Sequence, residues 1–158
     1  MKCVNDFLDK ELFKKIQDDI FDKDSTPWFC IPDISGEGKE KDAYFCHMLY
    51  DQERPCSNKY WIAEALKFVI DAKALIRVKV NLYPRTDTLV HHTPHTDFDF
   101  DHKAAVLSLN TCDGHTSIKG MTVPSRENRI VFFDPQEPHN STNCTDQQFR
   151  ANININYF

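Results

Sequence analysis

The chain has 158 residues, of which 41% are hydrophobic and 12% aromatic, and it carries a formal net charge of -5. This size and composition predict one folded domain with a substantial core and exclude general disorder. The negative charge offers no broad attraction to nucleic acid or to an anionic membrane, and no apolar run is long enough to cross a bilayer. Because the first residues do not have the pattern of a signal peptide, we expect a cytoplasmic protein whose six cysteines are reduced.

The first 72 residues predict helices and loops that support the rest of the chain. Apolar residues recur every four positions over 5–22, which indicates an amphipathic helix. A second helix is predicted over about 58–72, with Ser57 placed to cap it. Its inward-facing residues are expected to be Trp61, Ile62, Ala65, Leu66 and Val69.

The stretch between these two helices contains a predicted strand and a predicted loop. Residues 43–50 have the composition of a strand, and Trp28 and Phe29 are expected to be buried after Pro27. The run 33–42 is charged and contains glycine, so it predicts a loop. This loop is either a flap at the mouth of a site or, as is more common for loops, a solvated connection.

Two strands with one polar and one apolar face are predicted in the second half of the chain, over 75–83 and 148–158. Either the polar faces meet bulk water, or they line a cavity while the apolar faces pack beneath the two helices. The polar faces carry Arg77, Lys79, Asn81 and Tyr83 on the first strand and Arg150, Asn152, Asn154 and Asn156 on the second.

Shorter strands are predicted over 89–97, 104–110, 116–119 and 129–134, separated by turn signals. Many short strands with few helices and no βαβ rhythm favour an antiparallel double-sheet barrel. We therefore expect a mainly β fold in a single domain, in which residues 1–72 support a β-barrel core formed by residues 73–158, with two helices packed on one sheet.

Four residues suggest the chemistry of the chain. His95 and Asp97 are two residues apart, so in an extended strand they project to the same side with Cα atoms roughly 7 Å apart. With His139 they would form a set of two histidines and one carboxylate, which leaves coordination positions open on non-haem Fe(II). Arg150 has a planar fork suited to a carboxylate.

In order and spacing, these four residues resemble the signature of the iron(II)/2-oxoglutarate-dependent oxygenases. Segments 106–110 and 114–116 resemble the strand and turn that follow the first metal ligands in prolyl hydroxylases. Segment 128–133, leading to Pro138-His139, resembles the strand that carries their second histidine. The similarity covers about residues 75 to 158, and the part before it resembles no family that we can name.

The resemblance implies a double-stranded β-helix, the jelly-roll barrel also found in cupins. It implies that Fe(II) is held by His95, Asp97 and His139, that 2-oxoglutarate and O₂ are cosubstrates, and that ascorbate is an optional reductant. Arg150 would bind the far carboxylate of 2-oxoglutarate. Supporting roles in cosubstrate binding are implied for Tyr83, Asn81, Asn152 and Ser108.

Other polar residues near this motif have simpler interpretations. Asp97, Asp99 and Asp101 could belong to a calcium loop, but His102 and Ser108 stand where an EF-hand needs glycine and glutamate. The other histidines are expected to be solvated or hydrogen-bonded rather than metal ligands; they are His47, His91, His92, His102 and His115.

The resemblance predicts a dioxygenase that hydroxylates a peptide, a protein or a small molecule. Two alternatives remain: an oxidative dealkylase of nucleic acids or nucleotides, and a metal-binding barrel without activity. Duplex nucleic acid is disfavoured by the net charge and by the acidic run 97–101 beside the metal pair. Phe98 and Phe100 could stack on a base, but they could equally belong to the core.

Overall fold

The structure, a computed structural model, describes residues 1–32 and 43–158, so the predicted loop 33–42 lies outside the described residues. Within these ranges the chain forms two helices and eleven strands. In chain order they are β1 (Lys2–Val4), α1 (Lys10–Ile20), β2 (Phe29–Ile31), β3 (Tyr44–Asp51), β4 (Arg54–Pro55), α2 (Trp61–Val69), β5 (Leu75–Pro84), β6 (Lys103–Ser108), β7 (His115–Ile118), β8 (Met121–Pro124), β9 (Ile130–Phe133), β10 (His139–Ser141) and β11 (Phe149–Tyr157).

The strands form two antiparallel sheets. The larger has the order β1-β9-β6-β11-β5-β3-β2, with β4 paired to β3, and the smaller has the order β10-β7-β8. The long strands β5 and β11 lie side by side at the centre of the larger sheet. The predicted antiparallel double-sheet barrel is therefore confirmed.

The apolar faces of the two central strands pack beneath the helices. Val78 and Val80 on β5, and Ile153 and Ile155 on β11, are fully buried in one core. Burial of such side chains contributes about 1.5–3 kcal/mol each, so this layer is a main source of stability. The helices cover the sheet with Phe13, Ile16, Ile20, Ile62 and Leu66.

The polar faces of β5 and β11 consequently point away from the helices, into the space between the two sheets. Asn152, Asn154 and Asn156 are all buried there, although each is polar. Of the two interpretations of these alternating strands, the structure thus supports the one in which the polar side chains line a cavity.

Both helices are shorter than the sequence predicts. The first begins after Asp9, whose carboxylate accepts a hydrogen bond from the Leu12 N–H at 2.9 Å. The second begins at Trp61 without a side-chain cap, because the Ser57 hydroxyl accepts the N–H of Lys59 instead. Neither helix of the described ranges is long and apolar enough to span a membrane.

Two residues predicted to be buried are exposed. Phe29 is 61% exposed because it lies on β2, an edge strand of the larger sheet. Val69 is 39% exposed because it ends α2 and turns toward solvent. Trp28 is partly buried and packs against the core as predicted.

The strand predicted over 89–97 is wrong. The structure has only two isolated bridges there, between His91 and Thr142 and between His95 and His139. Pro94 has no N–H to donate to a ladder, so it interrupts regular pairing at this point. These bridges connect the segment to His139, the first residue of β10, and to Thr142, which directly follows β10.

Candidate active site

A partly open cavity lies between the polar face of the larger sheet and the smaller sheet. Its walls are polar except for a few side chains, and they include the three candidate metal ligands. The lining residues are Tyr44, Lys79, Asn81, Tyr83, His95, Asp97, Val106, Thr116, His139, Asn140, Ser141, Asn152 and Asn154.

The structure brings His95, Asp97 and His139 together. One potential ligand atom from each lies within 4.8 Å of the others, and His139 Nε2 is 3.8 Å from Asp97 Oδ2. The two histidines exchange both backbone hydrogen bonds, each at 3.0 Å. This paired bridge holds the imidazoles side by side, so the backbone itself sets their relative position.

Hydrogen bonds orient both rings for binding a metal. Nδ1 of His95 lies 3.3 Å from the Thr93 carbonyl, and Nδ1 of His139 lies 3.0 Å from the Glu137 carbonyl. Because a carbonyl can only accept, each Nδ1 carries the proton and each Nε2 of the neutral ring presents a lone pair. Burial and the neighbouring His139 lower the pKa of His95, which favours that neutral form.

The carboxylate of Asp97 is held by two donors from the larger sheet. Arg77 Nη2 donates to Oδ1 at 2.8 Å, and Asn156 Nδ2 donates to Oδ2 at 2.8 Å. Burial alone would raise the pKa of Asp97, but the charge of Arg77 and other nearby groups brings it below its usual value. Asp97 is therefore a buried, ionised carboxylate with Oδ2 toward His139.

These donor atoms fit a divalent iron ion. Two imidazoles and one carboxylate converge from one side, as in the facial arrangement typical of non-haem Fe(II) oxygenases, and the cavity lies beside them. The hydrogen bonds to Nδ1 and to the carboxylate are the supporting contacts that tune and orient such ligands.

Arg150, in the same region, is a buried cation that has no carboxylate beside it among the described residues. Its side chain is 1% exposed, and no carboxylate of the described residues lies within 4.0 Å of it. Its guanidinium donates to the Ser141 hydroxyl, to the Thr142 carbonyl at 2.9 Å and to the Thr116 hydroxyl at 2.8 Å. A buried cation held only by neutral acceptors is costly, so the site is suited to an anionic ligand.

Gly114 leaves the room that Arg150 occupies. A Cβ at this position would lie 2.2 Å from the Asn143 carbonyl oxygen and 2.6 Å from Arg150 Cδ. We expect Gly114→Ala to destabilise the protein by about 1–3 kcal/mol and to displace the guanidinium, because the backbone oxygen cannot yield easily. Chemical denaturation measures the first effect and 2-oxoglutarate affinity the second.

Gly120→Ala is the control for this prediction. Gly120 has a φ of 77° but nothing within 4 Å of its would-be Cβ, so its replacement strains a turn without touching Arg150. It should therefore cost stability but leave 2-oxoglutarate affinity unchanged. Equal affinities in Gly114→Ala and the wild type would contradict the packing argument.

The other residues predicted to contact the cosubstrate lie on neighbouring strands. Tyr83 is buried opposite Arg150 in the pairing of β5 and β11, with its ring centroid 5.4 Å from the guanidinium carbon. Asn81 donates to Asn152 at 3.1 Å, and both line the cavity. Ser108 is buried opposite Asn152 in the pairing of β6 and β11. It is not among the described residues that line the cavity, where β6 contributes Val106 instead.

Sequence reasoning missed three functional candidates on the polar faces. Arg77 and Asn156 support Asp97, and they are direct partners in the pairing of β5 and β11. Lys79 lines the cavity and donates to the Tyr44 hydroxyl at 3.2 Å. The alternation of β5 and β11 was the signal that could have identified all three, once the polar faces were placed inward.

The described residues contain one further group of potential ligands, formed by Cys112, Cys144 and Asp146. Burial raises the pKa of the Cys144 thiol to about 11, so it is a protonated thiol at neutral pH. All six cysteines are free thiols in the structure. His47, which was not expected to be a ligand, is hydrogen-bonded to the Pro27 carbonyl and the Ser57 hydroxyl.

Neither a protein-family model nor a curated protein matches the sequence. Solved structures do match in fold. A 2OG-Fe(II) oxygenase family oxidoreductase from Burkholderia pseudomallei superposes with a TM-score of 0.69 at 11% identity, covering 98% of this chain and 82% of that one. A Pseudomonas putida prolyl-4-hydroxylase superposes with a TM-score of 0.67 at 15% identity, covering 99% and 91%.

A third match is a prolyl hydroxylase from Trichoplax adhaerens in complex with a peptide of a hypoxia-inducible factor. Its TM-score is 0.65 at 14% identity, and the alignment covers 99% of this chain and 82% of that one. The chain therefore has the jelly-roll fold of the 2-oxoglutarate- and iron-dependent oxygenases, in the form found in prolyl hydroxylases. The resemblance inferred from the sequence is confirmed at the level of the fold.

Proposed function

We propose that this protein is an Fe(II)/2-oxoglutarate-dependent dioxygenase that hydroxylates a peptide, a protein or a small molecule. The observation that carries the proposal is a cavity lined by two imidazoles and an ionised carboxylate, with a buried guanidinium nearby that has no carboxylate partner among the described residues. A structural role for the barrel would require none of these groups in this combination.

The metal would be held by Nε2 of His95, Nε2 of His139 and Oδ2 of Asp97. When bound with 2-oxoglutarate, Fe(II) supplies activation of O₂, by which the cosubstrate is converted to succinate and CO₂ and one oxygen atom is inserted into a C–H bond of the substrate. Arg77 and Asn156 keep the Asp97 carboxylate ionised and in place. The backbone bridge between the histidines fixes the spacing of the other two ligands.

Arg150 would orient the cosubstrate. Its guanidinium is fixed by the acceptors Ser141, Thr142 and Thr116, so a carboxylate arriving there meets donors that are already positioned. Nε of Arg150 has no hydrogen-bond partner among the described residues. The far carboxylate of 2-oxoglutarate would be attracted by the positive charge of Arg150 and oriented by its fixed N–H groups. Because Arg150 is buried, few water molecules can hydrate the guanidinium.

The surroundings of the site favour a peptide or a small molecule over duplex nucleic acid. The chain is acidic overall, whereas phosphate backbones are held by clustered lysines and arginines. Phe98 is engaged within the protein, with the Arg77 guanidinium 4.7 Å from its ring centroid. The match to a prolyl hydroxylase in complex with a peptide is consistent with this preference. An oxidative dealkylase is the alternative within the same chemistry.

The proposal is tested by release of labelled CO₂ from 2-oxoglutarate labelled at its first carbon, with Fe(II) and ascorbate present. Pools of peptides, free amino acids and alkylated oligonucleotides are added separately, and products are analysed by mass spectrometry. We expect CO₂ release that requires Fe(II), together with oxygen gain in a peptide or an amino acid. Loss of a methyl group from the oligonucleotides alone would favour the dealkylase, and no Fe(II)-dependent release in any arm would contradict the proposal.

A further inference from the structure

Among the described residues, some cations inside the fold are paired with carboxylates and two are not. Lys59 is 2% exposed and is held by Asp19 Oδ1 at 2.6 Å, by the Asp19 carbonyl and by a serine hydroxyl. Arg77 is paired with Asp97. In contrast, neither Arg150 nor Lys79 has a carboxylate within 4.0 Å in the part of the chain that the structure describes. In the proposed function, Arg150 binds the far carboxylate of 2-oxoglutarate, whereas Lys79 has no anionic partner.

Lys79 lines the cavity, whereas Arg150 lies further along the same pair of strands. Lys79 is on β5 opposite Asn154, whereas Arg150 is on β11 opposite Tyr83, four residues away and therefore about 13 Å along the strands. The Lys79 ammonium is bonded to Tyr44 on β3, which pairs with β5 on the side away from β11. The two cations thus have separate positions and separate partners, so we assign them different anions.

The charge within the cavity also leaves an anion unaccounted for. A divalent metal, Arg77, Arg150 and Lys79 together contribute five positive charges, whereas Asp97 and doubly charged 2-oxoglutarate contribute three negative ones. A histidine must be neutral to bind a metal ion, so His95 and His139 would add no charge to this count. An excess of positive charge around a cavity attracts a further anion.

The donors at this position suit a carboxylate. Lys79 Nζ keeps two N–H groups after its bond to Tyr44, and the Tyr44 hydroxyl keeps its own proton to donate. Burial raises the pKa of Tyr44, so the hydroxyl stays protonated. Two donors 3.2 Å apart suit the two oxygens of one carboxylate.

We propose that Lys79 and Tyr44 bind a carboxylate of the primary substrate, which is therefore an acid: a free amino acid or similar small acid, or an acidic side chain of a peptide. This inference rests on the proposed function and specifies its substrate class. The two sources share one chemistry, and they are distinguished by the experiment.

The test is calorimetric binding to the wild type and to Lys79→Met, each in two forms. One form is anaerobic and loaded with Fe(II) and 2-oxoglutarate; the other is free of metal. The probes are free amino acids paired with their amides, and blocked tripeptides with a central aspartate or glutamate paired with asparagine or glutamine. Lys14→Met is the matched control, because Lys14 is a helix residue with 66% of its side chain exposed.

We expect at least one acid to bind the wild type at least tenfold more tightly than its amide. Lys79→Met should lose that preference, whereas Lys14→Met should retain it. Preference among free acids alone identifies a small substrate, and preference among the acidic tripeptides identifies a peptide. Equal binding of acids and amides throughout, or an unchanged preference in Lys79→Met, would overturn the inference.

Two further readings separate this inference from its rivals. If Lys79→Met weakens 2-oxoglutarate binding as much as an Arg150 substitution does, Lys79 serves the cosubstrate and the inference is wrong. If 2-oxoglutarate fails to bind but acids still bind in a Lys79-dependent manner to the metal-free form, the proposed function fails and the acid site stands.

The melting temperature of Lys79→Met should not fall, because the substitution removes a charge that has no carboxylate partner. A large fall accompanying the lost preference would indicate a structural role instead.

Discussion

Replacing Asp97 with alanine is expected to abolish 2-oxoglutarate turnover and to weaken Fe(II) binding by at least about 100-fold. Loss of a group that merely supports a ligand costs about 10–100-fold in metal affinity, and loss of a ligand itself should cost more. The substitution also leaves the partly buried Arg77 guanidinium without its partner, which places an unpaired positive charge close to the two imidazoles. The Fe(II) affinity is measured by anaerobic titration in a calorimeter.

Asp99→Ala is the matched control, since Asp99 lies two residues further along the same acidic run and is exposed. It should bind Fe(II) as the wild type does. Because Asp97→Ala could unfold locally around Arg77, Asp97→Asn is measured beside it. This variant keeps the shape and loses the charge, and it should also bind iron weakly. Unchanged iron affinity in a folded Asp97 variant would show that the carboxylate is not a ligand.

Replacing Arg150 with lysine should raise the apparent KM for 2-oxoglutarate by at least about tenfold, which corresponds to about 1.4 kcal/mol of binding free energy. Lysine keeps the positive charge, but a single ammonium cannot satisfy Ser141, Thr142 and Thr116 while also presenting a fork to a carboxylate. The variant therefore tests whether 2-oxoglutarate binding depends on the geometry of the Arg150 N–H donors and not only on their positive charge. Steady-state CO₂ release against 2-oxoglutarate concentration provides the measurement.

The control is Arg126→Lys, the same change at an arginine with 50% of its side chain exposed and only a 3.7 Å contact to Asp6. Exposed pairs of this kind contribute little, so neither KM nor stability should change measurably. If Arg150→Lys and Arg126→Lys have the same KM for 2-oxoglutarate, the cosubstrate carboxylate binds elsewhere in the cavity.

Much of the fold follows from periodicity in the sequence. The alternation over 75–83 and 148–158 gave two central strands, and the apolar faces of these strands meet the two predicted helices as expected. Alternation cannot decide which face meets water, because a solvated face and a cavity-lining face are both polar. Two amphipathic helices need an apolar surface to cover, which favours the cavity, and the structure supports that interpretation.

The site was predicted only in part, for physical reasons. His95, Asp97 and His139 were chosen by spacing and resemblance, and the structure brings them together. Their strand was wrongly predicted, because Pro94 prevents a regular ladder and the contact to His139 is a single bridge. Arg77 and Lys79 received no role, since their partners Asp97 and Tyr44 lie on segments whose positions local sequence does not determine.

The most direct test of the central claim is the affinity of 2-oxoglutarate with and without metal, measured by anaerobic calorimetry on the same preparation. If the two histidines, Asp97 and Arg150 form one site, metal and cosubstrate occupy it together, and each must increase the affinity of the other by the same factor. We predict one equivalent of 2-oxoglutarate, bound at least about tenfold more tightly when Fe(II) is present. Equal affinity in the presence and absence of Fe(II) would contradict the account.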